Sequence, residues 1–170
     1  MVLRNARRVL AALLLSILLL VSACAKEAPS RFDQAQQEST QHRSGQAVAK
    51  EATQGSNFNR FFPAASDGFE RVYTQEKKGF AEAKLKKGGK DVAMLSISDT
   101  LSTPSAAAKY QNSTTQIAGY PAVEIGNTQT GVLVGGRYQV KVISRAPSFT
   151  ASDREAWLER FNFKDLARLK

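Results

Sequence analysis

The residues with the clearest chemistry in this sequence are lysines, which crowd into one short segment. Residues 77–90 carry six lysines and one acid, Glu82, which leaves five excess positive charges. Residues 56–170 carry 17 basic and 11 acidic side chains, so most of the net charge of that region lies in this segment. Ammonium groups near an anionic surface gain about 1 kcal/mol each. The segment therefore predicts a basic stripe that binds an anionic lipid, an envelope polymer or an acidic face of a protein.

Two interpretations of this basic segment stay open. In the first it is a binding site, whose candidate contact residues are Lys77, Lys78, Lys84, Lys86, Lys87 and Lys90, with Phe80 beside them. In the second, the lysines only protect a solvent-facing hairpin from edge-to-edge aggregation. Salt-dependent binding to acidic lipid distinguishes the two interpretations.

A second candidate site is the aromatic cluster that precedes the first predicted strand. Its rings are Phe58, Phe61 and Phe62. We expect these rings to pack back onto the domain as a lid, and the alternative is an arm that binds a partner.

Catalytic chemistry has few candidates in this sequence. The only histidine, His42, and the only cysteine, Cys24, both precede residue 56, so a folded domain after that point has neither a Ser-His-Asp triad nor a Cys-His pair. The same absence of histidine and cysteine after residue 55 leaves that domain without the usual ligands of zinc. The acids that a glycosidase-type pair would need are scattered at Glu70, Asp91, Asp99 and Glu124. We therefore expect no catalytic residue, no metal site and no cofactor, with a carboxylate-dependent hydrolase as a weaker alternative.

The first two dozen residues have the pattern of an export signal. Three arginines occur within residues 4–8, residues 9–21 are apolar apart from Ser16, and small residues follow. The apolar run fits the 7–15 residues of a cleavable signal and is shorter than the ~20 that span a bilayer. We expect residues 1–23 to be removed.

The end of that signal, Val21-Ser22-Ala23-Cys24, resembles the lipobox of bacterial lipoproteins. The resemblance implies that the lipoprotein signal peptidase recognises Val21, Ser22 and Ala23, and that Cys24 becomes a lipidated N-terminus. An ordinary secretory signal with a chance cysteine, or an uncleaved anchor, is the alternative. Several acyl chains on one cysteine hold a protein on a membrane far more firmly than one chain does. The expected location is the extracytoplasmic (periplasmic or lumenal) side of a membrane, inner or outer, where no nucleic acid is available as a partner.

Residues 24–55 are rich in Gln, Ala and Ser, and too few apolar side chains are present to offset the entropy of ordering them. We expect a flexible linker there. Residues 56–170 are long enough for one domain with its own core.

The pattern of residues 56–170 predicts six strands, at 69–74, 79–86, 91–98, 122–125, 131–134 and 137–143. Gly88-Gly89 and Gly135-Gly136 indicate two-residue hairpin turns, the second pairing Leu133 with Tyr138. Helices are predicted from Thr103-Pro104 to about residue 112, and from a capping box of Ser152 with Glu155 through Phe161. Asn162 with Asp165 predicts a final helical turn.

These elements predict a single α+β domain, with a largely antiparallel sheet of about six strands in βββα-βββα order and helices packed against it. The element order distantly resembles the α/β/α sandwich of the PsbP group, which includes lipid-anchored accessory proteins of photosynthetic membranes. Residues 75–80 and 117–122 look like segments of small lipoproteins of cyanobacterial type.

Together these patterns predict a lipid-anchored, non-enzymatic binding or assembly module on the extracytoplasmic face of a bacterial membrane. Its expected partner is either a membrane-protein complex or an anionic lipid or polymer.

Overall fold

A seven-stranded antiparallel sheet forms the centre of residues 48–169, which are the part of the chain that the computed structural model describes. The strands are β1 (Phe69–Lys77), β2 (Phe80–Lys87), β3 (Lys90–Asp99), β4 (Thr115–Ile117), β5 (Tyr120–Ile125), β6 (Gln129–Val134) and β7 (Tyr138–Ser144). Their order across the sheet is β1-β2-β3-β7-β6-β5-β4. The α+β fold class is confirmed. The predicted lipidation site Cys24 and its neighbours Val21, Ser22 and Ala23 lie outside the described residues.

The helical elements are short. They are 3-10 helices at Gly55–Phe61 and Thr100–Ser102 and α-helices α1 (Pro104–Ala108), α2 (Ala151–Glu159) and α3 (Phe163–Leu166). The predicted βββα-βββα order is therefore corrected, because the second half has four strands before its helices. The strand that the prediction omitted, β4, has only three residues, too few for an alternating pattern, and its pairing with β5 brings it into the sheet.

The caps of α2 and α3 explain where these helices begin. The predicted box of Ser152 with Glu155 is wrong: the box is formed by Thr150, whose side chain accepts from the Asp153 backbone N–H, while the Asp153 carboxylate accepts from the Thr150 N–H. Thr150 has the extended backbone that an N-cap requires. The Asn162 cap is confirmed, since the Asp165 N–H donates to Asn162 Oδ1 at 3.2 Å.

The hairpins fix which side chains share a face of the sheet. The Gly88-Gly89 turn is confirmed, with Lys87 opposite Lys90 and both glycines at positive φ. At the other predicted glycine pair, the register is wrong by one residue. Val134, not Leu133, lies opposite Tyr138, because the turn includes Arg137 as a third residue.

A third hairpin, between β1 and β2, also differs from its prediction. The predicted strand ends at residue 74 and the next begins at residue 79, but β1 continues to Lys77 and pairs it with Phe80. The sheet therefore extends further at this end than the sequence pattern indicated.

The core lies between one face of the sheet and the elements α2, α3 and the first 3-10 helix. We call this face the inner face, and the opposite one the outer face. The inner face contributes alternate residues of each central strand, such as Leu85, Leu95 and Val140, and the helices contribute Trp157 and Leu158. No helix within residues 48–169 is both long enough and apolar enough to cross a membrane.

Candidate functional site

The lysines of the basic segment divide between two faces of the sheet. Burial alternates along β2, so Ala83 and Leu85 are inside while Lys84 and Lys86 are on the outer face. Lys77 joins them, because it pairs with Phe80 and holds its ammonium 5.3 Å from that ring's centroid. The outer face therefore contains Lys77, Phe80, Lys84 and Lys86. The alternation along the sequence predicted a shared face for the last three of these residues.

The remaining lysines of the segment point elsewhere. Lys87 lies over the ring of Phe69 at 4.5 Å, and Phe69 packs edge-on against Trp157 beneath the inner face. Lys78 Nζ donates to the backbone carbonyl of Lys50 at 2.7 Å. Lys90 is exposed beside the turn that follows β2. The six lysines consequently do not form one continuous stripe.

Acidic side chains reduce the positive charge of the outer face. Lys84 Nζ lies 2.7 Å from Asp91 Oδ2, and this hydrogen bond lowers the pKa of Asp91. Lys86 pairs in register with Glu70 on the neighbouring strand. Asp91 lies one residue beyond the lysine-rich segment, so the sequence count of charges did not include it.

Lys141 is an outer-face residue that the sequence interpretation missed. It pairs with Ser96 in the centre of the sheet, where burial, with the nearby charge of Lys109, lowers its pKa. The alternation of polar Gln139 and Lys141 with valines along β7 was the signal that could have placed it on this face.

The aromatic cluster packs into the core. Phe58 is fully buried and contacts Tyr138 edge-on with 5.8 Å between ring centroids. Phe62 contacts Tyr73 at 5.5 Å and Phe161 at 5.3 Å, and Phe61 is buried as well. The rings thus adopt the packed arrangement, and the proposed arm of Phe58, Phe61 and Phe62 is corrected because no part of it is exposed for a partner.

A buried ion pair fixes the segment that leads into the domain. The Asp99 carboxylate accepts from Arg137 Nη2 at 2.7 Å, from Arg137 Nε at 3.0 Å and from the Thr53 backbone N–H at 2.9 Å. We call Thr53, Asp99 and Arg137 the clamp. Burial would raise the pKa of Asp99, but the hydrogen bonds from Arg137, Thr53 and Leu101 outweigh it and the pKa is lowered.

Further contacts hold residues 49–55 at the same end of the sheet. The Gly79 N–H donates to the Thr53 carbonyl at 2.6 Å, and the Ala49 N–H donates to Ser102 Oγ at 2.8 Å. Gly55 approaches the β1–β2 turn so closely that a Cβ there would lie 2.5 Å from the carbonyl oxygens of Lys77 and Phe80. Residues 49–55, assigned to the linker from composition, therefore pack against the domain, whose folded part begins before residue 56.

Three of the four candidate acids of a hydrolase are engaged by basic side chains, whereas Glu70 is exposed and forms no ion pair within residues 48–169. Asp99 binds Arg137, Glu124 Oε1 lies 3.3 Å from Arg154 Nη2, and Asp91 binds Lys84. Within residues 48–169, no group of three or more His, Cys, Asp or Glu side chains could hold a metal ion.

Comparison with known proteins identified no relative of this chain. No protein-family model, no curated protein and no solved structure matches the chain. The class that the structure defines is a seven-stranded antiparallel α+β domain with α2 and α3 packed on its inner face.

Proposed function

We propose that this protein is a lipid-anchored, non-enzymatic binding or assembly module on the extracytoplasmic face of a bacterial membrane. The observation that supports this function best is the clamp, because it fixes the incoming chain to one end of the sheet. A tether pulling on residue 48 transmits its force to Asp99 and Arg137. The lysines of the outer face on β1 and β2, and the opposite end of the sheet, then stay accessible to a partner.

The ion pairs of the acidic side chains favour binding over hydrolysis. A general acid or base exchanges protons with a substrate, whereas Asp99 is held ionised by Arg137 and two backbone N–H groups. Glu124 Oε1 forms an ion pair with Arg154 Nη2 at 3.3 Å.

The anchor is tested by metabolic labelling with palmitate of the full chain expressed in a bacterium. We expect wild type to incorporate label and sediment with membranes, and Cys24→Ser to incorporate none, because the thiol is the proposed attachment point. Ser30→Ala, a small change beyond the lipobox, is the matched control and should be labelled as wild type is. Equal labelling of Cys24→Ser would refute the anchor.

The binding role is tested separately by proximity labelling from the anchored protein, followed by purification from solubilised membranes. A stoichiometric protein neighbour supports assembly, and a co-purifying lipid or glycan supports the second candidate function.

That second candidate is binding of an anionic lipid or polymer through the lysines near the β2–β3 turn. Lys86, Lys87 and Lys90 make no ion pair within residues 48–169, and they lie at the end of the sheet opposite the clamp. Lys84 is the weaker candidate because Asp91 neutralises it.

We expect the triple substitution of Lys86, Lys87 and Lys90 by Gln to weaken binding to phosphatidylglycerol vesicles roughly a hundredfold at low salt, from about 1 kcal/mol per lysine. Vesicle sedimentation of the mature chain carrying Cys24→Ser measures this without acyl chains. Replacing Lys109, Lys164 and Arg168 by Gln removes equal charge from other exposed positions and should change binding much less. If both triple variants lose vesicle affinity equally, then the binding is a non-specific attraction between charges and this second candidate function is wrong.

A further inference from the structure

A cleft of about 370 Å³ opens at the end of the sheet opposite the clamp. The β5–β6 turn, the end of β7 and the start of α2 form its walls. Its polar lining comes from Asn127, Thr128, Ser144, Thr150, Arg145 and Arg154. Among residues 48–169 no acidic side chain lines it, so the cleft presents two guanidinium groups among neutral hydrogen-bonding groups.

Arg154 brings a positive charge to this cleft from inside the protein. Its side chain is 2% exposed, and it donates through Nε to Thr130 Oγ1 at 2.8 Å and through Nη1 to Ser144 Oγ at 3.0 Å. Its ionic partner, Glu124, is 58% exposed and contacts Nη2 at 3.3 Å. A guanidinium has five N–H donors, so two of them lack an acceptor among residues 48–169. The two unused N–H groups of this buried guanidinium are therefore able to donate to a further anion.

Arg145 adds a second guanidinium at the rim. Its backbone is fixed, because its N–H donates to the Val92 carbonyl at 2.8 Å, while its exposed side chain makes no hydrogen bond or ion pair within the described part of the chain. The nearby acid Asp153 is occupied by the Thr150 N–H and hydroxyl, both at 2.7 Å. Asp153 keeps its negative charge, but it forms no ion pair with Arg145 within residues 48–169.

We propose that this cleft binds a small organic oxyanion, a carboxylate or a phosphate ester, between Arg145 and Arg154. Guanidinium groups bind both oxyanions through paired N–H donors. Phe149 and Pro147 supply an apolar wall for the rest of the ligand, and the volume is within the range of small-molecule sites. This site goes beyond the tethering function and does not depend on lipidation of Cys24.

The test is an NMR titration of the mature chain carrying Cys24→Ser, with inorganic phosphate in one series and benzoate in another. We expect saturable shifts of the Thr128, Arg145 and Ala151 amides. Arg145→Gln should weaken the binding at least about tenfold, because it removes charged hydrogen bonds without disturbing a contact of the fold. Arg168→Gln, an equal loss of charge at another exposed position, should leave the binding unchanged.

Arg154→Lys provides a second variant, which keeps the charge but loses the fork of donors, and should also weaken binding if its spectrum remains folded. Saturation by phosphate alone assigns a phosphate ester, and saturation by benzoate alone assigns a carboxylate. Absence of saturable shifts with both probes, or equal weakening by Arg145→Gln and Arg168→Gln, overturns the proposal. Because the protein carries no lipid in this experiment, its failure is distinct from a failure of the tether.

Discussion

Replacing Phe58 by alanine is expected to lower the free energy of unfolding by about 3–5 kcal/mol, the usual cost of removing a buried phenyl ring. The ring is fully buried, contacts Tyr138 edge-on and belongs to the 3-10 helix that closes the core. Urea unfolding followed by tryptophan fluorescence measures the change, since Trp157 is buried in the same core.

Phe80→Ala is the matched control for this prediction. Phe80 is half-buried on the outer face beneath Lys77, so its loss should cost less than half as much. If Phe58→Ala costs no more than Phe80→Ala, then the aromatic cluster does not contribute to the core in solution, and the exposed-arm alternative returns.

Replacing Asp99 by alanine is expected to destabilise the domain by about 3 kcal/mol and to release residues 49–55. Removing one partner of a buried ion pair costs about 3–5 kcal/mol. The lower end applies here because Arg137 is 26% exposed and can regain water, whereas the Asp99 side chain is fully buried. Urea unfolding gives the loss of stability, and hydrogen exchange gives the release, as faster exchange of the Gly79 and Thr53 amides.

The matched control is Asp67→Ala, which removes the partner of Arg160. Both side chains of that pair are well exposed, so the loss should be below about 1 kcal/mol and should not alter exchange at Thr53. A similar cost for both substitutions would contradict the role of the clamp.

The pH dependence of stability gives an independent measure of the same ion pair. The pKa of Asp99 in the folded protein is below its usual value of 3.8, so the unfolded chain binds more protons as the pH falls. Its contribution is present above about pH 4 and is lost as the pH falls through the folded-state pKa. Asp67, Asp91 and Asp153 also have lowered pKa values, so the wild-type curve alone does not isolate Asp99. The difference between wild type and Asp99→Ala should shrink as the pH is lowered.

Local patterns were sufficient to predict several elements of this fold. Strict alternation identified β2 and the face of Lys84 and Lys86, because strand side chains point alternately to opposite faces. The Gly88-Gly89 turn followed from the positive φ that such turns need, and the start of α1 followed from its first-turn proline. Each of these features depends on residues only a few positions apart.

The charged sites illustrate what composition misses. Counting lysines in residues 77–90 indicated a uniform basic stripe, yet Asp91 neutralises Lys84 and the strand register places Glu70 beside Lys86. Arg145 and Arg154 were not singled out, because isolated arginines have no distinctive spacing. They come to one cleft because α2 packs back beside the end of β7.

The sequence by itself therefore determined the fold class and most of the strands, since these depend on short patterns of residue type, and the lipid anchor at Cys24 stays a prediction. The tertiary structure decided the Val134–Tyr138 register, the inclusion of β4, the burial of Phe58 and the union of Thr53, Asp99 and Arg137. The physical reason is that these features join residues far apart in the chain. The free energy of each such contact depends on which strands become neighbours in the sheet and on which polar groups lose their contact with water. The types of residues that are adjacent in the sequence do not predict these two properties.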